Sequence, residues 1–381
     1  MNILLINYEY PPLGGGGGVA TKELAEELAK KHTVHVLTTA FSGLPYDEVT
    51  AGVVIHRVSV LGRKQEATAT VLSMLTFAPM ALLRGWTICR RYKFDVINAH
   101  FVLPSGVPGA ILAKLFSIPF VLSFIGGDLY DPSKGISPHR HPLLRAVIRQ
   151  IANVSCARTA ISEDTKQRAT SLHDVSSDIT VIPIGLVPRS FSVGTREELG
   201  LPSGLIAVSI GRLIPRKGFD RLIEAWADIP DVHLVIIGEG PWREKLEKQS
   251  RATGASDRIH LLGRLSEERK WQVLRVADMY VSAAQHEGFG IVFLEAMDAT
   301  LPIIAPRKGG QNDFLVNGEN ALLIDSSDRA VLQTAIKELS HDASRRKIMG
   351  EANKRKVVTY YIDQTAGRFE ALLLTAAKER A

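Results

Sequence analysis

The sequence predicts an α/β protein made of two parallel-sheet domains. Short apolar strands alternate with helical patterns along most of the 381 residues, the arrangement that produces parallel sheets with helical crossovers. Residues 182–204 break the series with a Pro- and Gly-rich stretch of no sustained period. The length is generous for one core and comfortable for two.

In the first half, β-branched apolar runs place strands at residues 3–7, 34–39, 53–58, 94–100, 120–124, 159–162 and 179–184. Between the first two, ATKELAEELAKK sets Ala20, Leu24 and Leu28 on one helical face, with the helix starting at Val19. Strands of the second half fall at 205–211, 232–238, 258–263, 279–284, 301–306 and 321–325, and the chain beyond reads as helical. The domains expected are 1–184 and 205–358, joined by 185–204 and followed by a last helical segment, 359–381.

Composition narrows the function. The chain is 45% hydrophobic and 23% charged, as folded soluble proteins are. Two cysteines, Cys89 and Cys156, make no disulfide framework and fit a reducing cytosol. No CxxC or HExxH spacing occurs, so no structural zinc or zincin site is predicted, and no cofactor is expected. MNILLIN lacks the charged region and cleavage site of a signal peptide. No uninterrupted apolar run reaches spanning length; residues 67–86 come nearest, broken by threonines, Pro79 and Arg84, and read as one or two surface or core helices. The net charge is +6, with Arg84, Arg90, Arg91, Lys93, Arg140, Arg145 and Arg149 in the first half. That suits a polyanionic ligand or an anionic membrane surface. The basic residues are not interleaved with aromatics, so nucleic acid is not an expected partner.

Three loops follow strands, where open parallel sheets bind ligands. PPLGGGGG comes first. Gly15, Gly17 and Ala20 satisfy G-x-G-x-x-A, but the second strand ends in Thr38, Thr39 and Ala40 with no acid for a ribose, so a dinucleotide fits poorly. A bare backbone wall of Gly15, Gly16 and Gly17 against a phosphate or sugar fits better. In the second loop, SIGRLIPRKGFDRL, Arg212 and Lys217 flank a strand-to-helix turn and form a concentrated anion site. The third is QHEGFGIVFLEAM. Glu287 lies in a glycine-rich loop with Gly288 and Gly290. Glu295 falls in the following helix among apolar residues, where a carboxylate needs a partner such as sugar or ribose hydroxyls.

Together, the N-terminal glycine loop, GRLIPRKG, GEG and EGFGIVFLEAM, in this order, resemble the family 4 glycosyltransferases. The resemblance covers nearly the whole chain. It implies the GT-B fold, with two Rossmann-like domains facing each other across a cleft, and retaining, metal-independent transfer of a hexosyl group from a UDP- or GDP-sugar. It implies that Arg212 and Lys217 hold the donor diphosphate, that Glu295 holds the ribose, and that Glu287 faces the transferred sugar. Phe289 and Gly290 would contact donor through backbone, residues 258–264 would lie by the base, and the glycines would close on the phosphates. The first domain would take the acceptor, and the last helix would return to it.

One segment departs from the family pattern. Many members carry His-Gly where SFIGGDLYDP puts Ile125, followed by Gly126, Gly127 and Asp128. Asp128 and His100, at the end of FDVINAH, are then the acceptor-side catalytic candidates beside Glu287; capping of its strand end is the alternative for His100. In GGQNDFLVNGENALLID, Asp313 replaces the usual glutamate, and the segment reads as structural. The acceptor expected is a glycan, a lipid-linked sugar or a small sugar. Apolar residues beside basic ones at 67–86 and 142–152 suit peripheral contact with the inner face of an anionic membrane, and equally a packed helix. A GT-B phosphorylase or sugar-nucleotide hydrolase, a nucleotide-sugar-binding protein without turnover, and more remotely an NAD-dependent oxidoreductase are the alternatives.

Overall fold

A computed structural model describes residues 1–66, 68–132 and 137–378. Ala67, at the edge of the apolar segment, and the last three residues of the C-terminal segment lie outside it. The chain forms two compact units, Met1–Val187 with the chain from Ile362 on, and Pro188–Tyr361.

The first unit runs β1 (Asn2–Ile6), α1 (Gly16–Ala29), β2 (Thr33–Thr39), β3 (Asp47–Thr50), β4 (Val53–Val58), α2 (Val71–Arg91), β5 (Val96–His100), α3 (Gly106–Phe116), β6 (Phe120–Phe124), α4 (Pro142–Val154), β7 (Ala157–Ala160), α5 (Glu163–His173) and β8 (Thr180–Val181). The second runs β9 (Leu205–Ile210), α6 (Phe219–Trp226), β10 (Val232–Ile237), α7 (Arg243–Ala252), β11 (Ile259–Gly263), α8 (Glu267–Val276), β12 (Met279–Val281), α9 (Ile291–Asp298), β13 (Ile303–Pro306), β14 (Ala321–Ile324), α10 (Arg329–His341) and α11 (Ala343–Val357). The closing helix, α12 (Ile362–Lys378), belongs to the first unit.

The first sheet has the order β3-β4-β2-β1-β5-β6-β7-β8. Its strands are parallel except for β3, which pairs antiparallel with β4. Strand periodicity shows in β1: Ile3 and Leu5 enter the core with α1 and α12, whereas Leu4 and Ile6 enter the core with α2, α3, α4 and α5. Both faces are covered, so the inner strands β1, β5 and β6 are buried along nearly their whole length and mostly apolar. Phe369 and Leu373 of α12 pack with Leu24 and Leu28 of α1. The second sheet is all parallel, in the order β11-β10-β9-β12-β13-β14.

Four expectations change. Helix α1 begins at Gly16 rather than Val19, because packing overrides the poor helix propensity of glycine. Its buried face is Thr21, Leu24, Ala25 and Leu28, with Ala20 only half-buried. The apolar segment read as one or two helices over 67–86 is a single 21-residue helix, α2, that starts later and runs on to Arg91, with Pro79 inside it. By length and composition alone α2 is long and apolar enough to cross a membrane, yet Phe77, Ala81, Gly85, Ile88 and Cys89 on one face are buried. Strand β3, DEVT, has no apolar period and was absent from the expected set.

In both sheets the chain order reverses beside the first strand. In the first sheet β1 lies between β2 and β5, and in the second β9 lies between β10 and β12. Loops leaving the carboxyl ends of such neighbours diverge and open a crevice. The glycine turn and His100 belong to the first such point. Arg212, Lys217 and Glu287 belong to the second.

Candidate active site

Four glycine-containing loops of the second unit interlock. Gly218 has φ +66°, and a Cβ on it would lie 2.0 Å from the Ala283 carbonyl oxygen. A Cβ on Gly238 would lie 1.9 Å from the Gly211 oxygen, and one on Gly240 would lie 2.5 Å from the Leu213 oxygen. GRLIPRKG is therefore seated against the GEG turn and the start of the AAQHEGFG loop, backbone on backbone. The Gln285 N–H donates to the Arg216 carbonyl at 2.8 Å, and the Gly310 N–H donates to the Glu287 carbonyl at 2.8 Å. Glycine at 218, 238 and 240 is therefore required by the packing of the loops on one another. Gly290, with φ +87°, starts α9. Phe289 is buried and packs on Phe314 with ring centroids 5.2 Å apart, so what it offers a ligand is backbone.

This packing brings Lys217 onto Glu287. The ammonium donates to Glu287 Oε1, and Arg216 lies 3.8 Å from Oε2 while donating to the His286 carbonyl at 2.9 Å. Burial works to raise the Glu287 carboxyl, but Lys217 and then Arg216 outweigh it and hold it below its ordinary value. Glu287 is therefore a carboxylate at neutral pH. The half-buried Arg212 guanidinium forms no ion pair among the described residues.

Glu295, in the third quarter of α9, is buried. Its neighbours Ile291 and Val292, expected inside, are only half-buried, while Leu294 and Met297 are buried. Lys270 of α8 donates to Glu295 Oε1 at 2.7 Å. The other oxygen, Oε2, is buried with no hydrogen-bond partner among the described residues. Burial raises the Glu295 carboxyl, and Lys270 offsets part of that.

The first unit's candidates are placed differently from expectation. Gly14 has φ +91°, and the Gly15 N–H donates to Glu9 Oε2 at 3.2 Å, so a carboxylate already sits at the N-terminus of α1. A Cβ on Gly17 would lie 2.6 Å from Phe101 Cζ and 3.0 Å from Ile125 Cγ2; one on Gly18 would lie 2.9 Å from the Glu9 carbonyl oxygen. Glycine at 17 and 18 is thus required by the protein's own packing, and Ile125, where a histidine is common, closes on Gly17. Gly16 is exposed.

Asp128 was expected to face an acceptor. Instead it is buried, with Oδ2 accepting from the Val102 N–H at 2.7 Å and Oδ1 from the Ile125 N–H at 3.2 Å. Its carboxylate ties the ends of β5 and β6 together. Burial raises it to about 6 against those amides.

His100 is buried too. Its Nδ1 lies 2.8 Å from Thr21 Oγ1, which itself donates to the Gly17 carbonyl at 2.9 Å. With that hydroxyl proton used, Nδ1 is the donor and Nε2 the unprotonated nitrogen. Nε2 has no hydrogen-bond partner among the described residues, and the ring borders a small internal cavity with Thr159, Ile182, Thr365 and Phe369. Burial lowers the imidazole to about 4, so it is neutral at physiological pH.

Comparison with known proteins agrees with these loops. Residues 15–185 match the sequence family described as Glycosyl transferase 4-like domain, and residues 195–356 match Glycosyl transferases group 1. The chain belongs to the family 4 glycosyltransferases. It is 25% identical, over 99% of both chains, to the GDP-mannose-dependent alpha-(1-6)-phosphatidylinositol monomannoside mannosyltransferase of Mycolicibacterium smegmatis. It is 24% identical to the N-acetyl-alpha-D-glucosaminyl L-malate synthase of Bacillus anthracis, over 91% of this chain and 90% of that one. Among solved structures, sucrose-phosphate synthase from Thermosynechococcus elongatus superimposes with a TM-score of 0.85 at 21% identity, covering 99% of this chain and 100% of that one. Anabaena HepE, in complex with UDP and glucose, gives 0.80 at 19% identity over 98% and 100%. The fold is GT-B.

Two side chains of this glycosyltransferase's second unit escaped sequence reasoning. Arg216 sits inside GRLIPRKG but looks like any surface cation until its contact with the His286 carbonyl is seen. Lys270 lies in the polar run SEERKWQV, where a solvated lysine is the ordinary reading. The local signal is its neighbour Trp271, 1% exposed, which turns this stretch of α8 inward.

Proposed function

We propose that this glycosyltransferase moves a hexosyl group from a nucleotide-sugar to an acceptor hydroxyl with retention of anomeric configuration and without a metal ion. The observation that carries the reading is the meeting of Lys217 with ionised Glu287 at the switch point of the second sheet, with unpaired Arg212 in the same loop. The diphosphate gathers negative charge as the anomeric carbon–oxygen bond breaks. Arg212 and Lys217 stabilise that charge, the role a divalent ion plays elsewhere. Glu295 takes a ribose hydroxyl on its partnerless oxygen, and the 288–290 backbone meets the sugar and phosphate. Glu287 orients the sugar and favours the developing positive charge at its anomeric carbon. The acceptor oxygen attacks from the face the leaving group departs from, and its proton goes to the departing phosphate oxygen.

The relatives' names nominate GDP-mannose and UDP-glucose as first donors to try. The glycine turn, with exposed Gly16, contributes to donor contact. Asp128 and His100 act on the acceptor side by positioning backbone and the α1 N-terminus, since both are buried. A lipid-linked acceptor at an anionic membrane surface is favoured by α2. Leu72, Leu75, Leu83 and Trp86 form one exposed stripe, flanked by Arg84, Arg90 and Arg91. Helix α4 exposes mainly Leu143 and Val154 and contributes less.

The test is nucleotide release from UDP- and GDP-sugars in EDTA, with and without candidate acceptors. Acceptor-dependent release supports transfer. Release driven equally by water or phosphate identifies a hydrolase or phosphorylase instead.

A further inference from the structure

Helix α8 carries a buried cation that the loop motifs do not include. Ser266 caps the helix, its Oγ accepting from the Arg269 N–H at 3.2 Å, and this fixes the register of the first turn. Trp271 is buried one residue after Lys270. Between these anchors the Lys270 side chain, 13% exposed, reaches across to α9. It donates to Glu295 Oε1 at 2.7 Å and to Glu267 Oε1 and Oε2 at 2.9 Å each. Glu267 is mostly exposed, so the contact that is sheltered from water is the one with Glu295.

A carboxylate held by one oxygen has its second oxygen in a fixed direction. Here that oxygen is buried and has no hydrogen-bond partner among the described residues. A buried acceptor without a partner is costly, and a hydroxyl donor from a ligand would recover that cost. We infer that Lys270 is a positioning residue for donor binding: it clamps Glu295 by Oε1 and presents Oε2 to a hydroxyl of the donor's ribose. The inference rests on the nucleotide-sugar reading above and adds the residue that makes Glu295 a competent acceptor.

Charge supports the geometry. Around Glu295 stand Lys270 and Glu267 from α8, Arg189 from the start of the second unit, and Tyr280 from β12. Burial pushes the carboxyl up, Lys270 is the largest opposing influence, and Glu267 adds to the upward push. Without the ammonium, Glu295 shifts toward its protonated form at neutral pH, and the ribose loses a charge-assisted bond for a neutral one.

The experiment measures dissociation constants of UDP, GDP and ADP, and of their 2′,3′-dideoxy counterparts, between pH 5.5 and 9. The proteins are wild type, Lys270→Met, Lys270→Arg and Glu295→Gln. For the nucleotide that binds, Lys270→Met weakens the ribonucleotide roughly tenfold at pH 7. The loss shrinks as pH rises, and the dideoxy form is affected much less. Lys270→Arg restores the wild-type profile. If Lys270→Met does not fold, Lys270→Gln carries the same comparison. Wild-type affinity in the methionine variant at every pH, or a loss equal at every pH and equal for the dideoxy nucleotide, overturns the assignment. If Glu295→Gln loses affinity while Lys270→Met keeps it, the donor reading stands and the role of Lys270 falls. If no ribonucleotide binds wild type, the donor reading falls and takes this inference with it.

Discussion

Lys217 and Glu287, 70 residues apart in the chain, form a partly buried ion pair between the loops that leave β9 and β12. Under the proposed reading, in which Lys217 meets the diphosphate and Glu287 the sugar, the pair holds both side chains in place before a donor binds, so little reorganisation would remain for the chemical step.

Glu287→Gln keeps the shape and a hydrogen bond to Lys217 but removes the negative charge. Turnover should fall by about 100-fold or more, while donor affinity stays within about threefold, a change worth under 1 kcal/mol. Steady-state kinetics beside calorimetric titration separates the two. Equal losses in both would place Glu287 in binding and not in transition-state stabilisation.

The glycine run divides into two kinds of position. Gly17→Ala drives a methyl to within 2.6 Å of Phe101 and should lower the melting temperature, with overpacking of this kind costing about 1–3 kcal/mol. Shrinking Phe101 to Leu should recover part of that. Gly16 is exposed, so Gly16→Leu should leave the melt nearly unchanged and impair transfer. A Gly16→Leu enzyme as active as wild type would remove the turn from the donor site.

Much of this was legible in the sequence. Apolar runs located thirteen of the fourteen strands to within a few residues, and the loops after β9 and β12 were read from the order of their motifs. What the sequence could not supply was burial. Asp128 and His100 are polar residues beside glycines and strand ends, an address shared by catalytic groups and by internal anchors. Only their contacts, with the Val102 and Ile125 amides and with Thr21, distinguish the two. The α1 start at Gly16 was hidden because glycine disfavours helix, and Lys270 because a lysine in a charged helix carries no sign of the carboxylate it will meet.

Asp128 makes a pH prediction. Its folded value, about 6, lies above the ordinary 3.8, so the folded state holds the proton more tightly. The stability this contributes is complete at low pH and is lost as pH rises from about 4 to about 6, amounting to about 3 kcal/mol. Chemical denaturation at pH 4 and pH 7 should show this decline in wild type superimposed on the other titrations, and Asp128→Asn should remove that part of it. An unchanged difference between the two pH values would mean that Asp128 titrates normally.

The α2 stripe predicts salt-sensitive membrane contact. Leu75 and Leu83 are 68% and 66% exposed, so Leu75→Glu with Leu83→Glu should fold normally. The double variant should lose co-sedimentation with vesicles containing anionic lipid, and raised salt should weaken the wild type. Absence of wild-type binding at low salt would rule the contact out.

The donor loops face their most direct trial in calorimetric titration of GDP-mannose and UDP-glucose, in EDTA, into wild type and Arg212→Ala. Loss of a charged hydrogen-bond partner is worth about 1.5–3 kcal/mol. One donor should bind wild type saturably without metal, and Arg212→Ala should bind it roughly 10- to 100-fold more weakly. Undiminished binding by Arg212→Ala would contradict the site proposed at the second switch point.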